Sequence, residues 1–236
     1  MSHLDYYRFQ AKARGVHSAT DVQRLAEQNS YIYGQSLKNW LPDKGGRVVD
    51  LACGHGSFLW WLKQQGYTLV SGVDSSAEQV NLARTTGAEI VQADVFAWLS
   101  TQPPGSYEMV VAMDFIEHIS KDDLMRFLTL TYRLLSPGGR LVLRYPNGDS
   151  PFVGLNLYND ITHVWTYTTN CLSSLARMHG FAATEFFDES LALRDHTWIK
   201  RPIVRLCQAL LSLLVQGAAK QQISYWNSSI WASLRK

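Results

Sequence analysis

From residue 47 onward, short apolar runs alternate with stretches in which apolar residues recur every three or four positions. The runs at 47–52, 68–73, 89–94, 107–113 and 140–145 predict strands, and the helical spacing between them predicts helices at about 57–65, 76–85, 95–100 and 121–135. Ser75-x-x-Glu78 and Ser120-x-x-Asp123 fit the capping-box pattern at two helix starts. Pro137-Gly138-Gly139 turns the chain into the fifth strand. A long connection, 146–168, precedes a helix at 169–179 and a strand at 182–189. A helical stretch at 201–216 then interrupts what would otherwise be a closing hairpin, and Ser229 to Arg235 reads as the last strand. Residues 1–40 look helical and carry Tyr6, Tyr7, Phe9, Tyr31, Tyr33 and Trp40, before Leu41-Pro42-Asp43-Lys44-Gly45-Gly46 breaks the pattern. Alternating strands and helices predict an α/β fold: a doubly wound, seven-stranded sheet, mostly parallel with the last strand antiparallel, under a helical N-terminal cap.

Such a sheet binds ligands beyond the carboxyl ends of its strands, where the strand order reverses. The first strand runs through Val48, Val49, Asp50 and Leu51 into Ala52-Cys53-Gly54-His55-Gly56. Two glycines one residue apart let backbone approach a ligand closely, and the helix start behind them offers unpaired N–H groups. About 20 residues on, the second strand ends in Asp74, placed to accept hydrogen bonds from a ribose diol. Leu59 occupies the place of the third glycine of the dinucleotide fingerprint, which disfavours a nicotinamide or flavin cofactor.

An acidic strand end, an Ala-Cys-Gly-x-Gly turn and the acidic end of the next strand together resemble the S-adenosylmethionine pocket of class I methyltransferases, a Rossmann-like family. The resemblance implies cofactor contacts from Asp50, Ala52, Cys53, Gly54, Gly56, Asp74 and Ser75, with Asp94, Val95 and Phe96 around the adenine and Met113 at the end of the fourth strand. Taken alone, Asp94 also reads as a helix cap. Asn/Asp-Pro-Pro-Tyr, the pattern of base-amino methylation in nucleic acid, is absent after the fourth strand. Asp114-x-x-Glu117-His118 instead looks like the run of the ubiquinone-biosynthesis O-methyltransferases, where Glu-x-x-Glu-His supports magnesium. The shorter Asp114 arm favours local hydrogen bonding over a metal, so no metal ligand is assigned, and His118 is kept as a catalytic candidate.

Beyond the fifth strand, Pro146-Asn147, Ser150-Pro151-Phe152, Asp160-Ile161-Thr162-His163 and Tyr167-Thr168 are similar to a bacterial methyltransferase group associated with surface polysaccharide clusters, except that Val164 stands where that group has Glu. A loop rich in Asn, Asp, Thr and aromatic residues suits a hydroxylated ligand. His163 is the natural general base, since imidazole titrates near neutral pH, with Asp160 beside it; the alternative is that both residues only pin the loop.

At 236 residues, 46% apolar and 18% charged, the chain has room for one large domain: a cap at 1–40, a cofactor-binding half at 41–145 and an acceptor-side half at 146–236. A formal charge of +2 without a Lys/Arg run gives no field for nucleic acid. Cys53, Cys171 and Cys207 lack disulfide or zinc spacing, and no apolar leader opens the chain, so a cytoplasmic location is expected. In 201–216 the polar residues fall at 201, 205, 208, 212 and 216, one stripe on an otherwise apolar helix. Packing on the domain or in a homodimer is the default, with peripheral contact at the inner face of a membrane as the alternative. The function expected is methyl transfer from S-adenosylmethionine to a hydroxyl oxygen of a small or saccharide-like acceptor. Its competitors are a metal-assisted quinone-pathway enzyme and a non-catalytic cofactor-binding protein.

Overall fold

The apolar runs pair as strands of one sheet because their side chains are buried on both faces, as expected for parallel strands covered by helices. The computed structural model describes residues 15–189, 201–219 and 223–236. Strands β1 (Val48–Leu51), β2 (Val70–Asp74), β3 (Glu89–Gln92), β4 (Tyr107–Met113), β5 (Leu135–Pro146), β6 (Ala183–Asp188) and β7 (Ser229–Arg235) form a seven-stranded sheet in the order β3-β2-β1-β4-β5-β7-β6. β1 to β5 pair in parallel, and β7 lies antiparallel between β5 and β6. The order reverses between β1 and β4, which locates the crevice at their carboxyl ends.

Helices α1 (Ala19–Leu37), α2 (Ser57–Gln64), α3 (Ala77–Ala83), α4 (Val95–Thr101), α5 (Lys121–Leu134), the short α6 (Gly154–Leu157) and α7 (Thr169–Met178) accompany the sheet. Two apolar cores result. One joins Leu51, Val110, Leu143 and Ala232 to Phe127 and Leu172; the other joins Val48, Val111 and Trp231 to Leu37, Phe58 and Leu62. The cap helix α1 therefore packs on a sheet face: its Tyr33 ring meets Phe58 at 5.2 Å, Trp61 at 5.4 Å and Trp231 at 6.3 Å between centroids. The aromatics at 6, 7 and 9 lie outside the described residues.

Two local expectations shift and one holds. The cap of α3 is Ser76, which accepts from Gln79 N–H, while Ser75 is exposed and its carbonyl accepts from Gln92. Ser120 caps α5 as expected. Helix α8 (Arg201–Ala219) does not pack on its own domain: Ile203, Leu206, Leu210, Leu213 and Leu214 are 54–69% exposed.

Gly56 is the residue on which the β1–α2 turn depends. It sits at φ +83°, and an added Cβ would lie 3.0 Å from Ala83 Cα and Cβ on α3. Gly56→Ala therefore adds backbone strain and a clash with a rigid neighbour, costing about 1–3 kcal/mol. Thermal unfolding should report a midpoint lower by roughly 2–4 °C for each kcal/mol; an unchanged midpoint would mean the turn relaxes freely.

Candidate active site

The glycine turn is built by strain that only this sequence tolerates. Ala52 (φ 55°), Gly54 (φ 54°) and Gly56 (φ 83°) are all left-handed, so the chain reverses immediately after Leu51 and enters α2. An added Cβ on Gly54 would meet nothing nearer than Gln79 Oε1 at 3.9 Å, which leaves room above the turn. Asp74 closes it from β2: its carboxylate accepts from Gly54 N–H at 2.9 Å and from Ser76 N–H at 2.8 Å. Burial raises the Asp74 carboxyl against those two bonds, which lower it. Below the turn, Asp50 is fully buried, and desolvation, with Asp74 adding to it, pushes its carboxyl well above the usual range. Burial likewise keeps the Cys53 thiol protonated, so Cys53 is packing rather than a nucleophile. These groups fit a cofactor with a diol and a charged end.

Asp94 is exposed and caps α4 by accepting from Ala97 N–H at 2.9 Å, with Val95 buried behind it. Phe96 is partly buried among Phe115 and Phe127, and Met113 packs beside Cys53 in the second core.

At the end of β4 the sequence run Asp114 to His118 divides. Asp114 is left-handed (φ 50°) and both its oxygens accept from Arg144 Nη1, at 2.6 and 2.7 Å. Arg144 Nε also donates to Glu189 Oε1 at 2.6 Å. Asp114 is thus tied to Arg144 by hydrogen bonds, and it is not part of a metal-like cluster with Glu117 and His118. A different one gathers: among the described residues, ligand atoms of Glu117, His118 and His163 lie within 4.8 Å of one another.

Glu117 is buried, and its Oε2 has no hydrogen-bond partner. Desolvation, then the charge of Asp114, raises its carboxyl well above the usual range. His163 Nδ1 lies 3.1 Å from the Leu157 carbonyl. A carbonyl only accepts, so Nδ1 carries a proton, and Nε2 lies 4.0 Å from Glu117 Oε1. The Asp160 carboxylate accepts from Thr162 Oγ1 at 2.6 Å, which leaves Thr162 to accept from His118 Nδ1 at 3.0 Å, and the Asp160 carbonyl accepts from the His163 N–H at 3.2 Å. Burial and the nearby His163 lower the His118 imidazole and favour its neutral form.

The polar side chains of the 146–168 loop mostly serve its own framework. Asn147 donates to Asn227 O, Ser150 to Trp226 O and Asn156 to Ser229 Oγ, while Asp149 accepts from Thr169 N–H. The outward residues are instead apolar: Leu155, Tyr158, Ile161, Val164 and Trp165. The site residues that periodicity did not single out are Thr162, Arg144 and Tyr33. Arg144 did carry a signal, a charge inside the apolar run of β5. Tyr33 gave none; burial pushes its hydroxyl up to about 12, and it lies within reach of the charges of Arg144, Asp50 and Asp114.

A family model described as "Methyltransferase domain" matches residues 24–186. The ubiquinone biosynthesis O-methyltransferase of Dinoroseobacter shibae is 30% identical over 134 residues, covering 54% of this chain and 53% of that protein. That of Xylella fastidiosa is 31% identical over 106 residues, covering 43% and 42%. The chain thus spans about half the length of the curated relatives it matches. Among solved structures, a SAM-dependent methyltransferase from Archaeoglobus fulgidus shares the fold at TM-score 0.69 and 22% identity, over 98% of this chain and 99% of that one. Phosphoethanolamine N-methyltransferase 2 of Haemonchus contortus, in complex with S-adenosylmethionine, does so at TM-score 0.59 and 18% identity, over 88% and 52%. With the reversal of strand order between β1 and β4, the left-handed glycine turn and Asp74 closing it, the chain belongs to the methyltransferase-domain family, as a class I S-adenosylmethionine-dependent methyltransferase.

Proposed function

We propose that the protein methylates a hydroxyl oxygen of a small or saccharide-like acceptor in the cytoplasm, the 41–145 half holding the cofactor and the 146–236 half the acceptor. The observation that supports this most is His163: an imidazole on the 146–168 loop whose Nδ1 is held by the Leu157 carbonyl and whose Nε2 lies 4.0 Å from the buried Glu117 Oε1. Bound S-adenosylmethionine supplies a methyl group already activated by a sulfonium charge. The chain's own residues then have two tasks, to orient the acceptor and to remove its proton. Asp74 and the turn at Gly54 would hold the ribose end, with Asp94 and Phe96 at the adenine. His163 would take the hydroxyl proton on Nε2, and the positive charge so formed would face Glu117. Asp160, through Thr162, would keep His118 in one tautomer beside it.

A second reading is a divalent cation held by Glu117, His118 and His163, whose ligand atoms lie close together. Two imidazoles and one carboxylate suit zinc, manganese or iron better than magnesium, which prefers oxygen ligands. The first reading is preferred because it needs no cation; the Nδ1 hydrogen bonds of the two rings suit either reading.

Asp74→Ala removes the acceptor of the Gly54 N–H and the proposed ribose contact. Calorimetry should show S-adenosylmethionine affinity falling about 10- to 100-fold; tighter binding of NAD by the parent protein would defeat the assignment.

His163→Ala should lower turnover by about 10²–10⁴ and leave cofactor affinity nearly unchanged. Retained turnover would make His163 structural. Loss of the parent's activity on chelation, with recovery on adding metal, would select the cation reading.

Glu117 carries a raised folded-state pKa, so its burial favours the protonated form. The unfolded chain loses that proton first, and the cost to the fold grows as pH rises above the ordinary glutamate range. Glu117→Gln removes the titration. Its unfolding midpoint should gain on the parent between pH 5 and 8, by about 2–4 °C for each kcal/mol recovered; parallel curves would mean Glu117 does not titrate in the fold.

A further inference from the structure

Helix α8 is the one long element of the described chain whose apolar side chains meet so little protein. At 3.6 residues per turn, its polar positions 201, 205, 208, 212 and 216 fall within an arc of about 80°, and the remaining arc is almost wholly apolar. Ile203, Leu206, Leu210, Leu213 and Leu214 lie on that arc and are exposed. So much apolar surface needs a cover.

Charge selects the occupant. From His196 to the last residue there is no Asp or Glu, while Lys200, Arg201, Arg205 and Lys220 lie in and beside the helix. A second copy of the same helix brings no acidic partner for these bases, whereas an anionic lipid surface complements them. No helix among the described residues is long and apolar enough to cross a membrane, and a polar stripe along the whole length suits a helix lying in the surface.

Position adds a second, independent observation. β6 ends and β7 begins side by side, Asp188 opposite Ile230, at the same rim as the carboxyl ends of β1, β4 and β5. The chain returning to β7 touches the acceptor loop, where Trp226 meets Phe152 at 6.5 Å between ring centroids. That loop carries its own exposed apolar row, Leu155 (71%), Tyr158 (84%), Ile161 (83%) and Val164 (59%). The chain therefore leaves the sheet for α8 and returns from it at the rim that carries the loop's apolar row.

We infer that this rim docks on an anionic membrane surface, α8 lying in the headgroup layer and the acceptor loop facing the lipid. The inference rests on the proposed function only for naming this rim the acceptor side. Docking would bring an amphiphilic acceptor to His163 without its leaving the leaflet.

The test is sedimentation of the full chain with phosphatidylglycerol–phosphatidylcholine vesicles and with phosphatidylcholine vesicles, run without cofactor or acceptor so that failure of the catalytic reading leaves it untouched. The parent should pellet with the anionic vesicles and be released by high salt. Arg201→Glu with Arg205→Glu, and separately Leu210→Asp with Leu214→Asp, should each lower the partition coefficient at least about tenfold. S-adenosylmethionine affinity equal to the parent's certifies that each variant is folded. A parent that stays in the supernatant with anionic vesicles overturns the inference. So does a parent that light scattering shows to be a dimer which the leucine variant dissociates, because the second copy then covers the face.

Discussion

Arg144 brings a permanent positive charge into β5, a strand otherwise apolar between Leu141 and Tyr145, and that charge has to be matched where the strand ends. The match comes from two directions. Asp114 at the end of β4 takes Nη1 with both oxygens, and Glu189 after β6 takes Nε while also accepting from Trp231 Nε1 on β7. One guanidinium therefore fixes the ends of four adjacent strands. Holding Asp114 in the left-handed region stops β4 abruptly and sends Ile116–His118 inward as a short 3-10 turn. Glu117 reaches its buried position under the acceptor loop for that reason, and its carbonyl accepts from the Val164 and Trp165 N–H groups.

The two non-glycine residues with positive φ, among those described, are Ala52 and Asp114. They follow β1 and β4, the strands between which the sheet reverses its order. Strain at such positions costs about 1–3 kcal/mol each and persists only where the surroundings impose it. Here the imposing structure is the apolar pairing of Val48 with Met109 and of Leu51 with Ala112, all buried in the two cores. Packing behind the crevice thus holds open a backbone shape that the crevice itself would not choose.

What the sequence made legible follows from the range of each interaction. The strands and helices, the glycine turn and Asp74 at its spacing are local or periodic features, and they lie where periodicity and turn chemistry put them. The choice between Ser75 and Ser76 as a cap is a matter of one residue of register, below the resolution of a pattern. The acidic run after β4 was misleading as a unit, because Asp114 was claimed by Arg144, 30 residues away, while Glu117 gathered with His163. The Asn, Asp and Ser residues of the 146–168 loop read as ligand groups. They instead satisfy backbone in the 226–229 segment and at the start of α7. Side-chain type was visible in advance; the partner of each side chain was not.

The placement of β7 between β5 and β6 has a consequence for how the protein comes into being. β6 has no neighbour in the sheet until residues 229–235 have been made, and the first half of the 146–168 loop lacks its bonds from Asn147, Ser150 and Asn156 until 226–229 are present. The strands of the cofactor crevice, by contrast, are all complete by residue 113. During synthesis the strands of the crevice are therefore made early, and the edge formed by β6 and β7 closes only once residues 229–235 have followed. Until then it carries an unpaired strand edge and the apolar residues of 201–219, the stretch of its production in which it is most exposed to aggregation.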